Sequence, residues 1–233
     1  MPRHKRLEVL NAIAETGVAP VFYHGDLETV KAVARACVAG GVRVLEFTNR
    51  GDFAWEVFAG LEKFCARELP AAVCGAGSVL DPATAALYIN SGACFIVGPA
   101  TNPEVAKLCN RRKVAYVPGC QTVSEVSYAE ELGCEVVKVF PAKAAGGPEF
   151  VRELLAPMPW SSIMPTGGLD VTRESLEPWF KAGVVAVGMG SKLISSDIIK
   201  AHDWEGLTRR CRDLVSLIRE LRAPGNGRPG SNT

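Results

Sequence analysis

Short apolar runs alternate with longer amphipathic segments along nearly the whole chain. Eight short runs, rich in β-branched and small apolar residues, read as β-strands: 18–24, 42–48, 71–78, 94–99, 115–120, 136–141, 162–167 and 184–191. The segments between them have the apolar spacing of helices: 27–38, 53–68, 82–91, 104–112, 124–132, 149–155 and 172–182. Asp81-Pro82 and Asn102-Pro103 each place a capping residue before a proline, as at a helix start.

This alternation predicts an α/β fold, because near-continuous apolar strands that alternate with helices form parallel sheets covered by helices. Eight such units in 233 residues predict a single (β/α)8 TIM barrel. Residues 2–16 are expected to form an extra N-terminal helix that closes the bottom of the barrel, and 202–221 the last outer helix. The barrel domain is predicted over 1–223, and the Pro/Gly-rich 224–233 as a disordered tail. An open doubly wound sheet is the alternative, but no G-x-G-x-x-G follows the first strand.

Composition narrows the class of protein. Hydrophobic residues make up 48% and charged residues 22% of the chain, and the formal net charge is +1. This balance does not predict binding to nucleic acid or to an anionic membrane. No apolar run reaches the roughly 18 residues of a membrane span, and the basic N-terminus leads into an amphipathic helix rather than a signal peptide, so we expect a cytoplasmic location. The eight cysteines lack C-x-x-C spacing and are expected to be buried free thiols, with disulfides or metal binding as the alternative.

Lys138 is the clearest charged residue inside a predicted strand. Its neighbours at alternate positions, Val136 and Phe140, share its face of the strand. One alternative is a structural lysine that extends outwards between helices. The other is an amine inside the barrel, where a low dielectric disfavours the ammonium form. Attack on a ketone requires the neutral amine, so the inward orientation predicts a Schiff-base nucleophile.

A second strand carries a carboxylate and a guanidinium of matching parity. Val44, Glu46 and Thr48 share one face, and Arg50 follows at the end of the strand. Glu46 is either half of a structural pair with a buried arginine or a general acid/base. The planar fork of Arg50 suits a substrate carboxylate. An amine, a proton shuttle and a carboxylate clamp at strand ends together predict a keto-acid site.

Two glycine-rich segments end the last two strands. They contain Gly167, Gly168, Gly188, Gly190 and Ser191. Barrels often bind phosphate in this place, because backbone N–H groups there can approach an anion. Each segment alone is also compatible with a tight turn. Lys192 either adds positive charge to this site or is simply solvated.

Metal-dependent and cysteine-dependent chemistry have weaker support. The only histidines are His4, His24 and His202, too few for the clustered His and carboxylate ligands of a metal-dependent aldolase. His24 ends the first strand and could reach the site. Cys74 and Cys120 lie near strand ends but have no histidine partner visible in the sequence.

These segments resemble the 2-keto-3-deoxy-6-phosphogluconate (KDPG) and 4-hydroxy-2-oxoglutarate (KHG) aldolases. The matching segments are 40–50, 75–80, 138–142, 165–168 and 190–191, in the family's order over about residues 18–194. The resemblance implies a homotrimer of barrels with no metal or other cofactor. It implies Lys138 as the Schiff-base nucleophile and Glu46 as the general acid/base. The implied substrate is a small keto acid or sugar-acid phosphate, cleaved to pyruvate and glyceraldehyde 3-phosphate, or to glyoxylate from the shorter substrate.

The resemblance also assigns binding residues. Arg50 and Ser78 would hold the pyruvyl part, with Pro99, Phe140 and Thr166 lining the site. The phosphate would contact Gly167, Gly168, Gly190 and Ser191.

Four departures from the family pattern lie outside the lysine, glutamate and arginine. Ser78 replaces threonine, Asn49 replaces leucine, Lys143 replaces glutamate, and Gly98-Pro99-Ala100 replaces Ser-Pro-Gly. They leave the substrate open between the phosphorylated acid, KHG and another unphosphorylated or epimeric acid. A phosphate-binding isomerase or decarboxylase, or a barrel that binds sugar phosphates without catalysis, is the alternative from another class.

Overall fold

Parallel strands and helices alternate through residues 2–223, the part of the chain that a computed structural model describes. The strands are β1 (Val18–Phe22), β2 (Val44–Thr48), β3 (Val73–Gly77), β4 (Phe95–Val97), β5 (Ala115–Val117), β6 (Gly119–Cys120), β7 (Val137–Val139), β8 (Ile163–Pro165) and β9 (Val187–Met189). The helices are α1 (Arg6–Thr16), α2 (Leu27–Ala39), α3 (Ala54–Glu68), α4 (Pro82–Asn90), α5 (Pro103–Arg112), α6 (Val123–Glu131), α7 (Gly147–Leu155), α8 (Arg173–Ala182), α9 (Ser196–Ala201) and α10 (Trp204–Arg222).

The strands close into an eight-membered barrel. Six pair in the order β5-β4-β3-β2-β1-β9 and three in the order β6-β7-β8, all parallel. β5 and β6 are parts of one barrel strand, because only Pro118 separates them. A parallel bridge between Thr166 and Gly188 and the bond from Val185 N–H to the Ile163 carbonyl (3.0 Å) join β8 to β9. The predicted (β/α)8 TIM barrel is confirmed.

A small apolar cluster fills the lower interior of the barrel. It combines Val9, Ala12 and Ile13 of α1 with alternate residues of the strands, among them Val44 and Val136. The predicted N-terminal helix therefore closes the bottom of the barrel. A larger apolar cluster lies between the strands and the outer helices. The upper interior is left for polar side chains, because α1 covers only the lower end.

The predicted helix caps are present. The Asp81 carboxylate accepts from the Thr84 N–H at 2.8 Å, and the Asn102 side chain accepts from the Glu104 N–H at 2.9 Å. Each cap precedes a proline at the first turn of its helix. These caps end the loops that follow β3 and β4, so they help to fix the loops at the C-terminal rim of the barrel.

The boundaries differ from the predicted ones in three ways. The strands are shorter than the apolar runs, since the run ends continue into loops above and below the sheet. The fifth run is divided at Pro118, whose ring nitrogen cannot donate to a ladder, although its carbonyl accepts from the Lys138 N–H at 2.9 Å. The short helix α9 was not predicted.

The remaining sequence predictions concern cysteines, membranes and the tail. All eight cysteines are buried free thiols; Cys65 and Cys74 approach each other, with their sulfurs 3.6 Å apart. Among residues 2–223 no helix combines the length and apolarity needed to cross a bilayer. The predicted disordered tail at 224–233 lies outside the described residues.

Candidate active site

Lys138 and Glu46 meet inside the barrel. The Lys138 Nζ lies 3.6 Å from the Glu46 Oε1, and the two residues are only 6% and 1% exposed. Strands β7 and β2 are separated by three barrel strands in either direction, so this contact crosses the interior. Alternation agrees, because Val136 and Val44 belong to the lower interior cluster and share the faces of Lys138 and Glu46. The lysine is therefore not on the outer wall.

Glycine on the neighbouring strand makes room for the glutamate. A Cβ on Gly77 would lie 2.1 Å from the Glu46 Oε1, so the carboxylate occupies the space that a larger residue would fill. The other oxygen, Oε2, is buried and has no hydrogen-bond partner within residues 2–223. Buried polar atoms are usually satisfied, and this acceptor is free to bind a substrate hydroxyl or a water molecule.

Arg50 and Ser78 come together at the rim above β2 and β3. The Arg50 Nε donates to the Ser78 Oγ at 3.3 Å. Strand register explains the contact, since Thr48 is opposite Gly77 and each residue follows the end of its strand. Ser78 has a φ of 60°, in the left-handed region that a residue with a side chain enters at a cost of about 1–2 kcal/mol. This strained conformation places the hydroxyl beside the guanidinium.

Thr166 and Phe140 lie on the other side of the interior. The Thr166 Oγ1 is buried and has no hydrogen-bond partner in the described part of the chain. A Cβ on Gly188 would lie 2.1 Å from this oxygen, so the second glycine-rich segment makes room for the first. The Lys138 Nζ is 5.1 Å from the centre of the Phe140 ring. The Phe140 ring is therefore close to the Lys138 amine. Thr166 lies two residues nearer the rim than Met164, which is opposite Lys138.

Pro99 is half-buried at the end of β4, and its carbonyl packs against Gly119, where a Cβ would lie 2.2 Å from the oxygen. Pro99 therefore lies at the C-terminal end of the barrel strands, where a residue can line the site.

The glycine-rich ends of β8 and β9 are adjacent at the rim. Gly167 and Gly168 have φ values of 98° and 84°, which only glycine adopts easily. Gly190 is open, since the nearest atom to a Cβ there is the Val21 carbonyl oxygen at 3.8 Å. Ser191 follows it and is exposed. These residues leave backbone groups accessible where an anion site was predicted.

The charge of Lys192 is compensated at this rim. Its Nζ is 3.2 Å from the Asp170 Oδ2. The pKa of Asp170 is lowered from its ordinary value because the Val171 N–H donates to the carboxylate and Lys192 hydrogen-bonds to it. The Lys192 carbonyl in turn accepts from Arg210 of α10. Lys192 therefore places a positive charge near the rim, and that charge is paired with Asp170.

The residues with weaker support in the sequence do not join the lysine. The His24 Nδ1 accepts a hydrogen bond from the Asp26 N–H at 3.1 Å, so this ring nitrogen is used within the loop that follows β1. The pKa of Cys74 is raised well above its usual value by its hydrogen bond to Cys65 and by burial. Burial raises the pKa of Cys120 to about 11. Neither thiol is a thiolate at neutral pH, which argues against nucleophilic cysteine.

Two site features were not identified from the sequence. The role of Gly77 could have been inferred from small residues at alternate positions of β3, Gly75 and Gly77, beside a strand that carries a charge. The Lys192–Asp170 pair has no local sequence signal. Among the departures, Asn49 accepts from the Tyr88 hydroxyl of α4 at 2.9 Å, so it faces the helix layer and not Lys138.

Comparison with known proteins places this sequence among aldolases that act on keto acids. Residues 9–210 match the family described as KDPG and KHG aldolase. The KHG/KDPG aldolase of Escherichia coli K12 is 34% identical over 205 residues, 88% of this chain and 93% of that protein. The 2-dehydro-3-deoxy-phosphogluconate aldolase of Pseudoalteromonas atlantica is 31% identical over 93% of this chain and 98% of its own length.

A solved structure of similar shape is the KDPG aldolase of Legionella pneumophila with pyruvate captured as a covalent carbinolamine intermediate. It superposes with a TM-score of 0.79 at 29% identity, over 87% of this chain and 96% of that one. Sequence and shape thus agree over most of the chain. The chain belongs to the KDPG and KHG aldolase family and is therefore a lyase.

Proposed function

We propose that this protein is a class I aldolase that cleaves a 2-keto-3-deoxy-6-phospho sugar acid through a Schiff base on Lys138. The observation that carries the proposal is the buried contact of 3.6 Å between the Lys138 Nζ and the Glu46 Oε1 across the barrel. A buried ion pair can exchange one proton without leaving a net charge, and transfer from Lys138 to Glu46 produces the neutral amine. The neutral amine then has a protonated carboxyl group beside it, which can donate its proton in the following steps.

The reaction can be written with these two residues. The neutral Lys138 nitrogen attacks the C2 ketone of the substrate to give a carbinolamine. The protonated Glu46 donates its proton to the carbinolamine hydroxyl, which leaves as water and gives a protonated imine beside the Glu46 carboxylate. The Glu46 carboxylate accepts the C4 hydroxyl proton, the C3–C4 bond breaks, and its electron pair passes into the imine as an enamine. The aldehyde leaves; a proton returns to C3, and hydrolysis releases pyruvate and the free lysine.

The unpartnered oxygens support proton shuttling and orientation. The Glu46 Oε2 and the Thr166 Oγ1 are both buried and have no partner within residues 2–223. A substrate hydroxyl would donate to the Glu46 Oε2, and a substrate carboxylate or carbonyl would accept from the Thr166 hydroxyl. In the proposal Arg50 and Ser78 hold the pyruvyl carboxylate, Phe140 and Pro99 line the cavity, and Gly167, Gly168, Gly188, Gly190 and Ser191 surround the phosphate.

KHG is the second candidate substrate. The observation that favours it is the 34% identity to a relative named for both substrates. The chemistry at Lys138 and Glu46 would be unchanged, because both substrates present a 2-keto group and a 4-hydroxyl. Only the group beyond C4 differs, so the glycine-rich rim decides between the two acids.

Turnover tests the proposal. Pyruvate release is measured from KDPG, from its unphosphorylated analogue and from KHG, with wild-type protein and the Lys138→Met variant. We expect the highest kcat/KM for KDPG and no turnover by the variant. Equal efficiency on phosphorylated and unphosphorylated acids would remove the phosphate-site argument, and full activity of the variant would reject the mechanism.

A homotrimer is part of the proposal. Phe53 and Leu80, in the loops after β2 and β3, are 70% and 61% exposed, and Trp55 and Leu87 of the adjoining helices are also exposed. Exposed apolar groups on neighbouring units are typical of an interface. Sedimentation should give a trimer that Phe53→Asp or Leu80→Asp dissociates. Trp160→Asp is the matched control, since Trp160 is 71% exposed beside β8; a monomeric wild type would contradict this part.

A cytoplasmic location also remains a proposal. Eight buried free thiols fit a reducing compartment better than an oxidising one.

A further inference from the structure

Lys143 lies directly over the first glycine-rich segment. It follows the end of β7, and its backbone N–H donates to the Gly167 carbonyl at 3.3 Å. A Cβ on Gly168 would be 2.7 Å from the Lys143 Cβ, 3.5 Å from its Cγ and 3.3 Å from its Cδ. The aliphatic stem therefore crosses the face of Gly168, and only glycine at position 168 permits this contact.

The charge of Lys143 is not compensated by the protein. Lys143 is exposed, and no carboxylate within residues 2–223 forms an ion pair with it. The other lysine at this rim, Lys192, is 3.2 Å from Asp170. Of these two ammonium groups, Lys143 alone has its full charge available for a ligand.

The first glycine-rich segment leads from the buried site to this cation. Met164 is opposite Lys138 in the register of β7 and β8. Thr166 is two residues further along the same face, with its unpartnered Oγ1 buried, and Gly167 and Gly168 continue to the rim. A substrate bonded to Lys138 and extended past Thr166 would place its far end beside the stem of Lys143.

We propose that Lys143 is a specificity-determining residue that contacts a phosphate monoester at the far end of the substrate. An ammonium group on a flexible stem binds phosphate as a point charge and adjusts to its position. The preference concerns the distal group alone, because no hydrogen bond or ion pair within residues 2–223 joins the Lys143 side chain to Lys138 or Glu46. The inference rests on the proposed aldolase function and adds a determinant of its substrate class.

A comparison of two substrates tests the role. Variants Lys143→Met, Lys143→Arg and Lys143→Glu are assayed on KDPG and on its unphosphorylated analogue. Lys63→Met is the matched control, since Lys63 is an exposed lysine of α3 and forms no ion pair in the described part of the chain. We expect Lys143→Met to lower kcat/KM for KDPG about tenfold, the size of one exposed charge-assisted contact. On the unphosphorylated acid it should stay within about twofold of wild type.

The other variants sharpen the test. Lys143→Arg should restore most of the preference for phosphate, and Lys143→Glu should lower it further than Met does, through repulsion. Inhibition by the product glyceraldehyde 3-phosphate, compared with glyceraldehyde, is a second readout that needs no turnover of the unphosphorylated acid. Its inhibition constant should rise about tenfold in Lys143→Met.

Proton exchange separates this inference from the proposed function. Exchange of the pyruvate methyl protons in D2O depends on imine and enamine formation at Lys138 and not on the phosphate end. We expect all Lys143 variants to keep the wild-type exchange rate. Normal exchange with an unchanged phosphate preference, or equal losses on both substrates, would overturn the role of Lys143. Absence of exchange in wild-type protein would overturn the proposed function and this inference with it.

Discussion

The Lys138 Nζ and the Glu46 Oε1 lie 3.6 Å apart although their strands, β7 and β2, are on opposite sides of the barrel. Two long side chains must extend towards the axis from both walls to make this contact. Both are buried, so each screens the other's charge from an apolar surrounding. The same contact makes the burial of both charged side chains tolerable and places a carboxylate beside the amine.

Replacing Glu46 by Gln tests the base. The amide keeps the shape of the side chain but cannot accept a proton, so we expect kcat to fall about 10²- to 10⁴-fold. Thermal unfolding is measured in parallel to show that the variant is folded. A kcat within about threefold of wild type would assign proton transfer to another group.

Gly77→Ala tests whether the space beside Glu46 matters. The added Cβ would lie 2.1 Å from the carboxylate oxygen, so Glu46 must move. We expect a lower kcat and a loss of about 1–3 kcal/mol in the free energy of unfolding. Gly25→Ala is the control, because its nearest neighbour would be the Tyr23 hydroxyl at 3.6 Å. Unchanged kcat in Gly77→Ala would show that the carboxylate position is not critical.

Two variants of Ser78 separate the fold from the site. Both Ser78→Ala and Ser78→Gly remove the hydroxyl that accepts from Arg50, so both should raise KM for the keto acid. Only glycine relieves the left-handed backbone at φ 60°. Urea unfolding should therefore find Ser78→Gly about 1 kcal/mol more stable than Ser78→Ala. Equal stabilities would contradict the strain, and unchanged KM values would contradict the binding role.

The barrel itself follows closely from the sequence. The period-two alternation correctly placed Glu46 and Lys138 on the same faces as Val44 and Val136, because a strand that is buried on both sides still separates its two faces by parity. The distance between the two residues was not predictable in this way. It depends on the closure of eight strands, and that closure is set by contacts far apart in the chain.

Local patterns failed in two places, for different reasons. The fifth strand is divided at Pro118 because proline has no backbone N–H to donate to the neighbouring strand. Pro118 is visible in the sequence, but the apolar run continues across it and hides the division. The Lys192–Asp170 pair joins two rim loops whose approach the sequence does not reveal. The glycine-rich ends alone left isomerases and decarboxylases open; family membership identifies the lyase.

The Arg3–Glu62 ion pair predicts a dependence of stability on pH. The Arg3 Nε lies 2.6 Å from the Glu62 Oε1 beneath the barrel. Burial raises the pKa of Glu62 above its ordinary 4.5, with the hydrogen bond from Arg3 acting in the opposite direction. The folded protein therefore binds a proton more readily at Glu62 than the unfolded chain does. The stability that Glu62 contributes is fully present below about pH 4.5, the ordinary pKa of the carboxyl group. It is lost as the pH rises through the higher pKa that Glu62 has in the folded protein.

Urea unfolding of wild type and Glu62→Gln at about pH 5 and about pH 7.5 measures this effect. The free energy of unfolding of wild type, relative to the variant, should be more favourable at the lower pH. If the free energy of unfolding of wild type relative to Glu62→Gln became more favourable at the higher pH, the ion pair with Arg3 would outweigh the effect of burial.

Trapping the imine tests the central claim most directly. Wild-type protein is incubated with pyruvate, reduced with borohydride, digested and analysed by mass spectrometry, with Lys138→Met and Lys63→Met treated in the same way. The account predicts one reduced pyruvyl group on Lys138 in wild type and Lys63→Met, and none in Lys138→Met. A wild-type protein without an adduct, or with the adduct on a different lysine, would contradict it.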